Sequence, residues 1–89
     1  MKEMMKELYS LTKRIKSGDA LSQEESERFL MLQKTVEEFI GGIDNDYASM
    51  CLTERYINAK PWHKIADELG QMTNDAVRKC CDRAIKRYS

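Results

Sequence analysis

The segment that most constrains the fold is residues 61–88, where two sets of regularly spaced apolar side chains lie on either side of Gly70. Before the glycine, four apolar residues fall at the three- and four-residue steps of a helix: Trp62, Ile65, Ala66 and Leu69. Pro61 suits the first turn of that helix, where a backbone N–H would have no partner. After the polar residues 71–74, a second helical set follows: Val77, Cys80, Cys81, Ala84, Ile85 and Tyr88. The segment therefore predicts a helix, a turn and a second helix.

The second predicted helix has a charged side opposite its apolar side. Placed at about 100° per residue, its charged residues gather in one arc, which we call the reading arc: Asp75, Arg78, Lys79, Asp82, Arg83 and Lys86. From Ala76 to the end of the chain, five basic residues face a single acid. Positive charge is thus concentrated on this helix, although the whole chain has a formal net charge of +0 at pH 7.

Residues 55–70, RYINAKPWHKIADELG, resemble the start of the helix-turn-helix in region four of bacterial sigma factors. They also resemble the small sigma-like regulators of phages and prophages, of the type that activates late transcription. The resemblance covers roughly the second half of the chain and is carried by Arg55, Tyr56, Ile57, Trp62, Ile65, Ala66, Leu69 and Gly70. Such a motif needs a small residue where its two helices touch and a residue that tolerates positive φ where the first helix ends. It also needs an apolar anchor early in the second helix. Ala66, Gly70 and Val77 supply these three features.

The resemblance implies that the protein binds double-stranded DNA, because the second helix of such a motif enters the major groove. Residues near the start of that helix would approach the base edges: Thr73, Asn74, Asp75, Arg78, Lys79 and Asp82. Residues around the start of the first helix and along the second would contact the phosphate backbone: Lys60, Trp62, His63, Lys64, Arg83, Lys86 and Arg87. The family often has glycine where Ala59 stands, so a positive φ at Ala59 would be strained here.

The rest of the chain also predicts helices, so the expected fold is all-α, with about five helices in one compact domain. Residues 1–42 are expected to form an N-terminal helical hairpin, with helices over about 2–16 and 22–40 joined by a short link. Residues 43–89 are expected to form the sigma-like helix-turn-helix unit, whose first helix spans about 47–57.

The predicted hairpin carries more apolar residues than one pair of helices covers. Its expected inward stripes are Met4, Leu8, Leu11 and Ile15 on the first helix and Phe29, Leu32, Val36 and Phe39 on the second. A capping box of Ser22 and Glu25 is expected to start the second helix. Further apolar residues lie off the stripes and are expected to be covered by the third helix or by a second copy: Met5, Leu30, Met31 and Ile40.

Three uses of the hairpin are open, namely packing as core, pairing with a second copy and presenting a face to another protein. We predict a homodimer through the hairpin. Paired reading helices about one DNA turn apart would match palindromic half-sites.

The cysteines and the lack of a long apolar run bound the class of protein. Cys51, Cys80 and Cys81 are odd in number and occupy apolar helix positions, which predicts buried free thiols. Together with His63 they do not offer the closely spaced ligands of a zinc site, so no metal or cofactor is expected. No apolar run approaches the roughly 18 residues of a membrane span, which predicts a cytoplasmic protein. The sequence does not bring a nucleophile and a base together, so it does not predict an enzyme.

Two functions of different classes follow from these observations. The first is a sequence-specific DNA-binding transcription regulator of phage or mobile-element type, with RNA polymerase or another host protein as a further partner. The alternative is a small phage-type inhibitor, for example an anti-CRISPR protein, that uses the helical fold to bind a host protein. Zero net charge and the acids Asp75 and Asp82 in the reading arc favour the alternative. Salt-dependent binding to random duplex DNA separates the two.

Overall fold

The computed structural model of the chain describes residues 1–70 and 73–89. These residues form five helices and no strand: α1 (Lys2–Lys16), α2 (Gln23–Gly41), α3 (Asp46–Leu52), α4 (Trp62–Glu68) and α5 (Asn74–Tyr88). A π-helical turn, Thr53–Ile57, continues α3. The prediction of an all-α fold with about five helices is confirmed. Gln71 and Met72 of the predicted turn lie outside the described residues. Within the described ranges, no helix is long and apolar enough to cross a membrane.

The start of α2 is fixed by the capping box that the sequence predicts. The Ser22 hydroxyl accepts a hydrogen bond from the Glu25 N–H at 3.1 Å, and the Glu25 carboxylate accepts one from the Ser22 N–H at 3.0 Å. Arg14, in the last turn of α1, forms an ion pair with the same carboxylate. Arg14 and the Ser22 N–H together lower the pKa of Glu25 to about 2. One carboxylate therefore both caps α2 and ties it to the end of α1.

A single hydrophobic core receives side chains from all five helices. α1 and α2 run antiparallel, since Glu7 pairs with Arg28 while Arg14, further along α1, pairs with Glu25. The π-helical turn packs against α1 and α2, and α5 packs against α3 and α4. The continuous segment of α3 and the π-helical turn therefore joins the hairpin to α5.

The buried stripe of α1 differs from the predicted one. Met5, Leu8 and Leu11 are buried, whereas Met4 is only half-buried and Ile15 is 43% exposed. Leu8, Leu11 and Ile15 share one face at helical spacing, so the face was predicted correctly near its middle. Ile15 falls in the last turn of α1, beside the link to α2, where the core no longer reaches. Helical periodicity identifies the inward face but not how far along the helix its packing partners extend.

Two of the four extra apolar residues of the hairpin are covered within the chain and two are not. Met5 and Ile40 are buried, but Leu30 and Met31 are 64% and 45% exposed. The buried residues Leu32 and Val36 fix the inward face of α2, and residues 30 and 31 lie on its outer side. The third helix therefore does not cover this pair, and coverage by a second copy, the other expected alternative, stays a prediction.

Candidate nucleic-acid interface

α4 and α5 have defined ends, and three residues around their connection have the burial or backbone conformation that the sequence predicts. Ala66 and Val77 are buried, and Gly70 has φ +86°. The Gly70 N–H donates to the Asp67 carbonyl oxygen at 3.3 Å, which closes the end of α4. Thr73 caps α5 by accepting a hydrogen bond from the Ala76 N–H at 3.1 Å. Ala66 and Val77 are thus buried and Gly70 adopts a positive φ, as the sequence analysis expected at these three positions.

Before α4, the chain turns at Ala59, which has φ +53°, a conformation that is strained for a residue with a side chain. A left-handed conformation at a residue with a Cβ costs about 1–2 kcal/mol. Hydrogen bonds on both sides hold it: the Asn58 N–H donates to Thr53 O at 3.0 Å, and the Lys60 N–H donates to Glu54 O at 3.1 Å. The π-helical turn therefore sets the direction in which the chain enters α4.

The N-terminal end of α5 lies open. Thr73, Asn74, Asp75, Arg78 and Lys79 are all exposed. The Asp75 carboxylate lies 2.5 Å from the Arg78 guanidinium and 3.0 Å from the Lys79 ammonium. The two cations hold the pKa of Asp75 below its ordinary value. The acid at the start of α5 is therefore neutralised by its own helix neighbours.

Asp82, in the middle of the reading arc, faces the N-terminus of α1. Its carboxylate lies 3.0 Å from the Lys2 ammonium, and both side chains are partly exposed. Nothing in the spacing of residues 61–88 indicated that α1 would lie beside this arc. The structure therefore adds the start of α1 to the surroundings of the candidate interface.

Two of the predicted backbone-contacting residues lie exposed at the start of α4, and a third forms ion pairs within the protein. His63 and Lys64 are exposed in the first turn of α4. The Lys60 ammonium forms ion pairs with Glu54 and, at 2.8 Å, with Glu68. These carboxylates raise the pKa of Lys60, and Lys60 in turn lowers the pKa of Glu54. The charge of Lys60 is thus already balanced before any ligand binds.

Trp62 is half-buried and packs on side chains of the π-helical turn. Its ring meets the Tyr56 ring edge-on, with 6.4 Å between centroids. The Arg55 guanidinium lies 4.0 Å from the Trp62 ring and 4.0 Å from the Tyr9 ring of α1. Trp62 is therefore a packed side chain that contributes to the attachment of α4 to α1 through Arg55.

The C-terminal half of α5 presents further positive charge. Arg83, Lys86 and Arg87 are exposed. A cavity of about 300 Å³ lies between this part of α5 and the start of α3, and it is lined by Asn45, Arg83, Arg87 and Tyr88, among others. Charged side chains thus follow α5 from its N-terminal turn to its end.

The three cysteines lie where α3 meets α5 and are free thiols. Cys51 and Cys81 are buried as predicted, whereas Cys80 is half-buried. A hydrogen bond to Cys51 and burial together raise the pKa of the Cys81 thiol. The described part of the chain contains no group of three side chains placed to hold a metal ion.

Comparison with protein-family models, with curated proteins and with solved structures gives no significant match. The candidate interface therefore rests on the geometry of α4 and α5 and on the charges around the reading arc. An exposed helix start with polar and basic side chains is suited to the base edges of a major groove, and exposed cations along the helix are suited to phosphates.

Proposed function

We propose that this chain is a DNA-binding transcription regulator in which α5 reads the major groove. The observation that carries the proposal is the open N-terminal end of α5, where five successive members of the predicted base-reading set are exposed: Thr73, Asn74, Asp75, Arg78 and Lys79. Val77, Cys81, Ala84 and Ile85 bury the opposite face of the same helix. The helix is thus held by its apolar side and presents its polar side, which is the arrangement by which a recognition helix enters a groove.

The two acids of the reading arc would repel DNA, but ion pairs within the protein balance both of them, which supports the proposal. Asp75 is balanced by Arg78 and Lys79, and Asp82 is balanced by Lys2. An approaching phosphate backbone would therefore meet paired acids, and the cations Arg83 and Lys86 lie further along the helix. A protein of zero net charge attracts DNA through such a local field rather than through its total charge.

The proposal predicts salt-dependent binding to double-stranded DNA. Titration of a labelled duplex by fluorescence anisotropy should give an affinity that falls as salt rises, with a slope of about −0.9 for each phosphate that is neutralised. Lys86→Gln should reduce the size of that slope by about 1 and weaken all sequences alike. Lys34→Gln, an exposed lysine on α2, is the matched control and should change neither. Lack of duplex binding by the unchanged protein at low salt would refute the proposal.

A protein-binding function is favoured by one separate observation, the exposed apolar pair Leu30 and Met31 on the outer side of α2. Contiguous exposed apolar surface marks sites that meet another protein, and these two side chains would contribute to such a surface. A second copy of the chain, RNA polymerase, or a host protein inhibited by the chain would each cover them. The homodimer through the hairpin is the form of this hypothesis that also fits a DNA-binding role, because a twofold axis would pair two reading helices.

The homodimer predicts twice the protomer mass by light scattering at tens of micromolar, alone and on duplex DNA. Leu30→Gln should return the protein to a monomer, because burying a polar amide at an apolar contact is unfavourable. The leucine is exposed in the single chain, so the variant should fold as before. A monomer at all concentrations, both free and on DNA, would rule out the dimer and leave the hairpin face for a different protein.

A further inference from the structure

A groove of about 260 Å³ borders the reading arc on the side where α1 lies. We call it the α1 groove. It lies between the start of α1, the π-helical turn, the start of α4 and the first half of α5, and basic residues from three of these elements line it: Lys2, Lys6, Arg55 and Arg78. Among the described residues that line it, Asp82 is the one acid. Lys2, Lys6 and Arg55 were not among the residues that the sequence assigned to DNA.

The cations of the α1 groove are only partly balanced by the protein. Asp82 pairs with Lys2, and Asp75 pairs with Arg78 from outside the groove. Among the described residues, neither Lys6 nor Arg55 forms an ion pair with a carboxylate. Four cations and one acid therefore line the groove, with the second acid, Asp75, outside it. An excess of one charge in a cleft concentrates the electrostatic field. Such a surface favours an anionic ligand.

Arg55 is fixed in place before any ligand binds. Its guanidinium lies between the rings of Tyr9 and Trp62, 4.0 Å from each centroid, and its Nη1 donates a hydrogen bond to the Lys60 carbonyl oxygen at 3.0 Å. Its Nε is buried and has no hydrogen-bond partner among the described residues. A cation held in this way loses little conformational freedom when it meets an anion.

We propose that the α1 groove takes phosphates of the DNA strand that borders the major groove read by α5. The inference rests on the proposed function and adds α1 to the DNA-binding surface. Phosphates are the favoured anion because the groove shares Arg78 and Asp82 with the reading arc and includes Trp62 at the start of α4. The backbone contacts of a helix-turn-helix flank its reading helix in the same manner. The start of α1 would then fix the angle of α5 against the duplex.

Binding of a mixed-sequence duplex by Lys6→Gln, followed over a salt series by anisotropy, tests the inference. Lys6 is exposed and has no ion pair among the described residues, so its loss should not disturb the fold. The variant should bind about fivefold more weakly at low salt, and its salt slope should shrink by about 1. Lys34→Gln on α2 makes the same chemical change away from the groove and should bind like the unchanged protein.

Trp62 gives a second readout, because it is the only tryptophan of the chain and lines the α1 groove. Its emission should change when duplex is added and should not change with inorganic phosphate at the same ionic strength. An unchanged salt slope for Lys6→Gln, or silence of Trp62 during duplex binding, would overturn the inference and leave the proposed function intact. A response to inorganic phosphate equal to that of duplex would assign the groove to a free anion instead. Absence of duplex binding by the unchanged protein would overturn both proposals.

Discussion

Replacing Leu8 with alanine is expected to lower the free energy of unfolding by about 2–5 kcal/mol, the range for truncating a fully buried leucine. Leu8 is 1% exposed and belongs to the one core that all five helices share. Small domains have only about 5–15 kcal/mol of stability, so the loss should be large relative to the whole. Chemical denaturation followed by far-UV circular dichroism measures it.

Ile15→Ala is the matched control for Leu8→Ala, because the sequence pattern placed both residues on one buried stripe. Ile15 is 43% exposed, so its truncation should change the free energy of unfolding by no more than about 0.5 kcal/mol. Equal losses for the two variants would mean that the packed face of α1 extends to its last turn, contrary to the structure. A Leu8→Ala transition that splits into two steps would mean that the hairpin of α1 and α2 unfolds separately from α3, α4 and α5.

Features that depend on neighbouring residues in the sequence were predictable, because their causes are local. The capping box of Ser22 and Glu25 follows from side chains three residues apart. The end of α4 follows from Gly70, which has a positive φ. The five helices themselves follow from apolar spacing.

The surroundings of the reading arc were not predictable, because they depend on contacts between distant parts of the chain. Asp82 lies beside Lys2 only because α1 packs across the π-helical turn toward α5. Lys60 is taken up by Glu54 and Glu68 because the turn at Ala59 brings three charges together. Periodicity within one segment contains no information about such partners. The sequence analysis therefore assigned Lys60 to DNA without its two ion pairs.

The position of Arg55 shows how one long-range contact changes the assignment of a surface. By sequence Arg55 belongs to residues 55–70, the segment that resembles the sigma-factor helix-turn-helix. In the fold its guanidinium lies between Tyr9 of α1 and Trp62 of α4. This contact carries the basic start of α1 to the edge of the reading arc. In the interface that we propose, the hairpin would take part in DNA binding as well as in packing or dimerisation.

Arg78→Ala is expected to lose about 10- to 100-fold in preference at one base-pair position, the discrimination that a bidentate arginine contact to guanine supplies. Arg78 is exposed and is the fifth residue of α5, near the end that a recognition helix directs at the bases. It is held by Asp75 at 2.5 Å in the free protein, so binding requires it to exchange or share this partner. Competition assays with duplexes that vary one position at a time, derived from a selected binding sequence, measure the preference.

Arg28→Ala is the matched control, because Arg28 on α2 is likewise exposed and paired with one carboxylate, that of Glu7. Both variants free an acid, but only the loss of Arg78 should relax a base preference. Equal behaviour of the two variants would show that α5 does not read bases through Arg78 and would favour the protein-binding function for this face.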